Sequence, residues 1–402
     1  MVLVMSTPIA TALSRNAAFP VLLACNVLMF ANISWSAQQR KTALQAALGA
    51  LRRERVVVGL VATTVLLGLV SLLWTPSFER GLGAFAQTTV SVCATVFCCF
   101  VLARQSIQLG WVPTSLAIAI AAASLVIISE ISFGSPIRGA LGASQDVFRL
   151  NRAAVSVVLF LPLLFLVKGG KLRLVGNIAI ASIVLAAAFT SNSESAQLAI
   201  LLMSATTMLV CVLPTRSLVL LLAFGLVATH VMVPIMVALL YQLIDQATLE
   251  AWSAALVGHP HQFVRLEIWW AHAMQIIDAP LFGRGMQAAH AAADVYAGAN
   301  AAILRGLNYG HPHNISIQVW YELGAVGIAL TAVLMVLFFR KVLKFDGLTQ
   351  KVTLVLIVGI WTVAYISHGA WQHWWWALVG IIVVLLNTLA SIERSKRPID
   401  AK

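Results

Sequence analysis

The chain has 402 residues, of which 60% are hydrophobic and 10% are charged, with a formal net charge of +12. Soluble domains carry roughly 25% charged residues, so this composition, with its mean hydropathy of +0.92, excludes an ordinary soluble fold. It also excludes disordered, coiled-coil and collagen-like chains. The composition predicts an all-α polytopic integral membrane protein in which residues 1–402 form a single membrane domain.

Several apolar runs approach the roughly 20 residues that a spanning helix needs. They lie near residues 17–35, 56–74, 83–103, 112–129, 153–167, 174–190, 196–213, 217–241, 314–339, 352–367 and 374–391. Residues 37–55 contain Arg40 and Lys41, so they form either a short polar span or an amphipathic cytoplasmic helix. We predict about 12 transmembrane helices, which requires residues 37–55 to cross. No cleavage motif follows the first run, so no cleaved signal peptide is expected.

Clusters of basic residues occur at alternate turns between these runs. They comprise Arg52, Arg53 and Arg55; Lys168, Lys171 and Arg173; Arg340, Lys341 and Lys344; Arg394, Lys396 and Arg397; and the single residues Arg104 and Arg216. Short cytoplasmic loops are rich in Lys and Arg. We therefore expect these turns and both termini to be cytoplasmic. The net charge then reflects membrane topology, and no nucleic-acid partner is expected.

The side opposite the cytoplasm is predicted to receive a large, partly helical loop of residues 242–312. Past residue 56, the basic residues assigned to this side are all arginines: Arg80, Arg138, Arg149, Arg152, Arg265, Arg284 and Arg305. Arginine contacts phosphate bidentately, whereas lysine offers a point charge. The pattern favours anion binding, although each arginine could instead pair with a nearby acid such as Glu130, Asp146, Glu267, Asp278 or Asp294.

Histidine is also unevenly distributed, since all nine histidines follow residue 229. His230 lies within a span, where a hydrogen bond between helices is the expected role. The triplets His259–His261 and His311–His313 lack an accompanying cysteine or carboxylate cluster, which makes a metal site the minority interpretation. No phosphate-binding glycine loop and no Ser-His-Asp order is present. We expect neither a metal nor a cofactor.

The segment from His311 to Asn314 opens the span that ends at Arg340. Proline is tolerated in a first helical turn, so Pro312 predicts the start of this helix, with its positive end facing outward. Gln318 and Glu322 follow at i+4 spacing and form a polar stripe. Gly324 and Gly327 predict a small surface on which another helix packs closely.

His313-Asn314, nine residues and then Gly324-Ala-Val-Gly327 resemble the signature of the O-antigen ligase family, within the O-antigen ligase/polymerase superfamily. Arg265-Leu-Glu-Ile-Trp269, followed by Pro280-Leu-Phe-Gly283-Arg-Gly285, resembles the Arg-containing periplasmic loop of that superfamily. Leu150-Asn151-Arg152-Ala153 is similar to a further sequence element of the same family. Family members often have a serine-rich turn with an arginine where this chain has Glu194, so Glu194 receives no ligand role.

The resemblance implies a GT-C-like inner-membrane glycosyltransferase. It would transfer O-polysaccharide from undecaprenyl diphosphate to a sugar of lipid A-core, on the periplasmic face, with inversion and without a metal. Its partners would be the undecaprenyl-diphosphate-linked O-antigen donor, the lipid A-core acceptor and membrane lipids. His313 would be the general base, because a histidine with a pKa near 6.5 suits proton abstraction.

The diphosphate would be bound by arginine side chains, with Arg265 as the first candidate. A helix over residues 265–278 would place Arg265, Trp269 and His272 on one face, so this helix could lie on the membrane with Arg265 over the lipid headgroup. The further candidates for substrate binding are Arg152, Arg149, Arg284 and Asn314. The tryptophans Trp269, Trp270 and Trp374–Trp376 are predicted to be interfacial anchors.

Three other functions are compatible with the sequence. An O-antigen polymerase would use the same donor with a growing lipid-linked chain as acceptor. A protein O-oligosaccharyltransferase is a second alternative. A flippase or secondary transporter is the third, but transporters place ionisable residues at mid-membrane, whereas here the charges gather at the ends of the spans.

Overall fold

The computed structural model of the protein describes residues 1–31, 37–103, 110–243, 248, 251, 264–299 and 301–395. All regular elements in these residues are helical. The prediction of an all-α polytopic membrane protein is therefore confirmed.

The α-helices of the described residues carry the labels used below. They are α1 (Val2–Leu13), α2 (Ala18–Ala31), α3 (Ala37–Arg53), α4 (Arg55–Val70), α5 (Phe78–Leu102), α6 (Val112–Ser132), α7 (Pro136–Ala140), α8 (Asn151–Phe160), α9 (Lys171–Thr190), α10 (Glu194–Val212), α11 (Thr215–Leu243), α12 (Val264–Met274), α13 (Ala292–Val295), α14 (Ala301–Leu307), α15 (Ile315–Val342), α16 (Gly347–Ile366) and α17 (His373–Ser395). Short 3₁₀ segments are Ser71–Leu73, Val147–Leu150, Leu161–Phe165, Ile276–Asp278 and Ala288–Ala291.

Ten helical segments of the described chain are long and apolar enough to cross a membrane. They are α4, α5, α6, α8 with its flanking 3₁₀ turns, α9, α10, α11, α15, α16 and α17. The shorter α1 and α2 are also apolar, and a turn at residues 14–17 separates them. The predicted first span near residues 17–35 therefore corresponds to α2, and α1 was not predicted.

Helix α3 does not support the prediction that residues 37–55 cross the membrane. It is 17 residues long, contains Lys41, Arg52 and Arg53, and is absent from the apolar helices of the described chain. These three basic side chains are exposed. The amphipathic alternative therefore describes α3 better than a polar span does.

The turns of the bundle separate into two ends. At one end, Lys341 on α15 donates a 2.9 Å hydrogen bond to Glu54, and Glu393 on α17 accepts one of 2.9 Å from the backbone N–H of Lys168. At the other end, the α1–α2 turn, the α4–α5 turn, the 367–372 turn and residues 264–314 are joined by side-chain contacts. We call this second end the site end. Its periplasmic orientation stays a prediction.

The core of the bundle is built around α8, in which every residue from Ala153 to Phe160 is buried. Helices α1, α6, α10 and α9 surround α8. Trp374 and Trp375 are also core residues, with only 1% and 2% of their surfaces exposed. The prediction that these two tryptophans are interfacial anchors is wrong, because α17 turns them towards the protein interior.

Candidate active site

The beginning of α15 is fixed by the side chain of Asn314. Its Oδ1 accepts hydrogen bonds of 3.0 Å from the backbone N–H groups of Ser316 and Ile317, so Asn314 is the N-cap of the helix. The residue is fully buried. The helix therefore begins at Ile315 rather than at Pro312. His313 precedes the cap with a φ of 51°, a left-handed conformation that few non-glycine residues adopt.

The ring of His313 has a defined tautomer. Its Nδ1 lies 3.0 Å from the carbonyl oxygen of Ser367, which can only accept a hydrogen bond. Nδ1 therefore carries the proton, and Nε2 has the free lone pair. Burial lowers the pKa of His313, and the charge of Arg265 lowers it further against the opposing effect of the Ser367 carbonyl. The ring is thus a neutral acceptor at neutral pH.

Other histidines surround His313. The His311 ring centroid lies 4.0 Å from that of His313 and 6.1 Å from that of His290. Burial, and then the neighbouring histidines, lower the pKa of His311 to about 3. Burial also lowers the pKa of His272 to about 4 and that of His368 well below its usual value. The site is consequently lined with neutral imidazoles.

Helix α15 is broken at Gly324, where φ is 63° and ψ is −163°. The loop of residues 280–285 inserts at this break. The backbone N–H of Arg284 donates to Tyr321 at 3.0 Å, and the N–H of Ala325 donates to Pro280 at 2.8 Å. A Cβ atom on Gly324 would lie 2.4 Å from the carbonyl carbon and oxygen of Leu281.

The two glycines of the signature therefore have a different role from the predicted one. Gly324 accommodates a loop rather than a second helix. A Cβ atom on Gly327 would lie 2.4 Å from Cβ of Leu323, one turn earlier in the same helix. Both glycines allow the helix to break and restart, and the Arg-containing loop occupies the gap.

Glu322 joins α15 to two other segments of the site end. The fully buried carboxylate accepts hydrogen bonds from the backbone N–H groups of Gln287 (2.7 Å) and Ala289 (3.4 Å), and from Gln318 Nε2 (2.9 Å) and Trp371 Nε1. The predicted polar stripe of Gln318 and Glu322 is therefore buried, and it connects α15 to residues 287–289 and to Trp371. Sequence alone could not identify its partners.

Arg265 lies in the first turn of α12, within electrostatic range of His313. Its Nη2 is 3.3 Å from Oε2 of Glu194, and both side chains are partly exposed. Helix α12 packs against α11, α14 and α15, and its His272 is fully buried. Helix α12 is therefore packed into the site end, and its position relative to the membrane surface stays a prediction.

Two other predicted anion binders, Arg284 and Arg149, have different surroundings from Arg265. Arg284 pairs with Asp278 at 3.1 Å and lies over the ring of Tyr296, with its guanidinium carbon 4.7 Å from the ring centroid. Arg149 is exposed and lines a cavity of about 430 Å³ at the site end. The contacts of Arg284 favour a role in fixing its loop.

Arg152 lines a second cavity, which shares Arg15 and Asn16 with the cavity beside Arg149 and which we call the arginine cavity. Its volume is about 420 Å³. The lining residues used below are Arg15, Arg80, Arg152, His290, Trp371 and Gln372. Within the described part of the chain, none of its three arginines pairs with a carboxylate.

Arg15 was missed as a site residue because α1 was not predicted. Both termini were expected to be cytoplasmic, so Arg15 was not assigned to the opposite side. The turn between α1 and α2 instead lies at the site end, where the backbone oxygen of Arg15 accepts a hydrogen bond from Arg152 at 3.5 Å. The apolar residues 2–13 were the available signal, although they are too few for an ordinary span.

His230 confirms one prediction about the spans. Its Nδ1 lies 2.6 Å from Ser316 Oγ and its Nε2 lies 2.8 Å from Thr331 Oγ1, which connects α11 to α15. Among the described residues, no group of three or more His, Cys, Asp and Glu side chains could hold a metal ion. The triplet His259–His261 lies outside the described residues.

Residues 178–332 match the model of the O-antigen ligase family. The matched segment begins in α9 and ends in α15, so it contains Glu194, Arg265, His313 and the two signature glycines. The chain is similar to the O-antigen ligase family over this segment, and the resemblance drawn from the motifs within it is confirmed.

Proposed polysaccharide ligases from three Rickettsia species are similar to the chain. The proteins of R. conorii, R. prowazekii and R. typhi are 26%, 30% and 28% identical to it over 142, 141 and 141 residues. Each alignment covers 33% of this chain and 33% or 34% of the relative. The matched segment therefore spans about a third of the length of each relative.

Proposed function

We propose that the protein is an O-antigen ligase that transfers O-polysaccharide from undecaprenyl diphosphate to a sugar of lipid A-core. The family match and the polysaccharide ligases among its relatives support a glycosyl-transferring enzyme of this type. The observation that carries the proposal is the His313 ring, which is neutral and held by Ser367 with its Nε2 lone pair free. The reaction is proposed to occur at the periplasmic face of the inner membrane.

His313 is the proposed general base. Its Nε2 takes the proton from the acceptor hydroxyl while the hydroxyl oxygen attacks the anomeric carbon of the donor sugar. The bond from that carbon to the diphosphate oxygen breaks, and undecaprenyl diphosphate leaves with the electron pair. Attack from the side opposite the leaving group inverts the anomeric centre. The lowered pKa of His313 keeps the ring unprotonated and ready to accept the proton.

Arg265 is the proposed partner of the leaving diphosphate. The positive charge of Arg265 lowers the pKa of His313, which supports placing the two side chains in one site. A guanidinium group can bind phosphate oxygens through two parallel hydrogen bonds. The diphosphate would replace the Glu194 carboxylate on Arg265, because both anions compete for the same donors. The N-terminus of α15 adds a favourable dipole at this position.

Two variants test these roles. We expect His313→Ala to lose transfer by at least roughly a hundredfold, since general bases contribute about 10²–10⁴ in rate, while the variant still binds undecaprenyl diphosphate. We expect Arg265→Gln to weaken donor binding by about tenfold. Arg305→Gln is the matched control, because Arg305 is also paired with a carboxylate at the site end, at 3.1 Å from Glu267. Near-normal transfer by His313→Ala would remove this residue from the mechanism.

The O-antigen polymerase is the second candidate, since it would use the same donor. A gel of lipopolysaccharide from a deletion strain, together with an extract of the polyprenyl-linked pool, separates the two. A ligase predicts core without O-antigen and an accumulation of long lipid-linked chains. Core capped by a single repeat unit would instead indicate a polymerase, and an unchanged ladder would contradict both.

A further inference from the structure

The arginine cavity combines a fixed cationic wall with an opening at the site end. Arg152 donates through Nη1 to the backbone oxygen of Arg15 and to Asn16 Oδ1, and its guanidinium carbon lies 4.6 Å from the centroid of the Trp374 ring. These contacts hold Arg152 in one orientation. They use only part of its five N–H donors.

The charges of the cavity are uncompensated. Arg15, Arg80 and Arg152 approach it from the α1–α2 turn, α5 and α8, and no carboxylate lies among the lining residues that the structure describes. His290 also lines the cavity, and burial followed by the charge of Arg80 lowers its pKa, so the ring adds no positive charge at neutral pH. Three converging guanidinium groups without an acid favour an anion with several oxygens.

The cavity is adjacent to His313 but not in contact with it. Gln372 and His290 line the cavity, and both lie against His311, at 3.3 Å between Nε2 atoms and 6.1 Å between ring centroids respectively. His311 in turn lies against His313, with 4.0 Å between their centroids. His311 therefore forms the partition between the cavity and the proposed base.

The position of the arginine cavity behind His311 indicates which of the two substrates it binds. The diphosphate of the donor is one bond away from the carbon that the activated hydroxyl attacks, so it must lie close to His313. A group in the arginine cavity lies beyond His311 and belongs to a part of the substrate that does not react. The acceptor has such parts, because only one of its hydroxyl groups reaches His313. Trp371 also lines the cavity, where an aromatic side chain can pack against an adjoining sugar.

We propose that the arginine cavity binds a phosphate group carried by the acceptor glycolipid, through Arg15, Arg80 and Arg152. This inference rests on the proposed function, in that two lipid-anchored substrates meet at His313. It assigns donor and acceptor phosphates to different arginines, with Arg265 serving the donor.

A binding experiment tests the cavity without requiring transfer. The probe is inorganic phosphate, titrated into the purified full-length protein in detergent. Arg80 is the best residue to change, because it is exposed and its replacement leaves the contacts of Arg152 intact. We expect Arg80→Gln to weaken phosphate binding by about tenfold. The control Arg216→Gln removes an exposed arginine at the other end of the bundle and should leave binding unchanged. Equal phosphate binding by wild type and Arg80→Gln would overturn the proposal.

A kinetic experiment distinguishes the two possible sources of the phosphate. It uses acceptor glycolipid before and after enzymatic removal of the phosphate groups on its sugars. We expect Arg80→Gln to raise KM about tenfold for the phosphorylated acceptor, and to leave KM for the dephosphorylated acceptor and for the donor unchanged. A raised KM for the donor instead would mean that the cavity holds the donor diphosphate, which would overturn the assignment to the acceptor.

The two experiments also separate this inference from the proposed function. If the protein transfers no glycan but Arg80→Gln still loses phosphate binding, only the proposed function fails. If transfer depends on His313, but Arg80→Gln binds phosphate and transfers glycan as the wild type does, only the proposal for the arginine cavity is wrong.

Discussion

Replacement of Glu322 by glutamine is expected to destabilise the site end strongly, although the two side chains have the same shape. Each carboxylate oxygen accepts two hydrogen bonds: Oε1 from Gln318 and Ala289, and Oε2 from Gln287 and Trp371. An amide has one oxygen and one NH₂ group. Whichever way the glutamine turns, its NH₂ faces two N–H donors that have lost their acceptor.

The size of the effect follows from this count. A hydrogen bond to a charged group contributes about 1.5–3 kcal/mol, and a buried donor without an acceptor costs a similar amount. Two such losses are partly offset by relaxation and are not additive. We expect Glu322→Gln to lower the free energy of unfolding by about 3 kcal/mol or more.

Glu393→Gln is the matched control. Glu393 is also a buried carboxylate, but its Oε2 accepts from the single backbone N–H of Lys168 at 2.9 Å, and a glutamine oxygen can take over that bond. We expect a loss below about 1 kcal/mol for this variant. The assay is thermal unfolding of both variants in detergent, followed by tryptophan fluorescence. If Glu322→Gln lost no more stability than Glu393→Gln, the role given to the carboxylate would be refuted.

Three further outcomes are expected. Gly324→Ala should lower the free energy of unfolding by more than about 3 kcal/mol, since it adds a Cβ atom 2.4 Å from a loop carbonyl at a residue with positive φ. The control is Gly225→Ala, because the space around its Cβ is open. Equal midpoints of thermal unfolding for the two variants would contradict this prediction. Glu194→Gln should bind undecaprenyl diphosphate about threefold more tightly, because an exposed ion pair competing for Arg265 is worth under about 1 kcal/mol; unchanged or weaker binding would argue against that competition. His272 has a folded-state pKa of about 4, below its unfolded value of about 6.5, so between these values only the unfolded chain binds the proton. The contribution of His272 to the free energy of unfolding should therefore fall by up to about 2 kcal/mol as the pH is lowered from 7 to 5, in addition to the contributions of His311 and His368. His272→Asn should reduce the pH dependence by this amount, and the same pH slope in both proteins would contradict this role of His272.

The general architecture could be predicted because membrane spans depend on local composition. Long apolar runs and alternating basic turns are properties of neighbouring residues, and they predicted the long helices from α4 onward. Helix α1 was not predicted because it has only 12 residues and contains Pro8. It is accommodated by burial against α6 and α8 rather than by its own length.

The residues of the candidate site could be proposed from the sequence, but their contacts could not. Gln318 and Glu322 stand out by their spacing, whereas the roles proposed for His313 and Arg265 follow from the resemblance to the O-antigen ligase family. The pairing of Arg265 with Glu194 joins residues far apart in the chain, and no local pattern encodes it. The spacing of Gly324 and Gly327 suits helix packing as well as a helix break, so the sequence could not distinguish the two. The tryptophan run at 374–376 is equally typical of a membrane interface and of a core.

The loop of residues 280–285 and the break in α15 also affect how the protein is synthesised and which of its segments can be exchanged with those of a relative. A broken helix leaves backbone groups that lipid cannot satisfy, and here the loop supplies their partners. The loop leaves the ribosome before α15 does, so those partners are already present when the helix enters the membrane. A chimera that takes α15 from one relative and the loop from another would separate two halves of one unit. Exchange of both segments together is the design that should yield a folded hybrid.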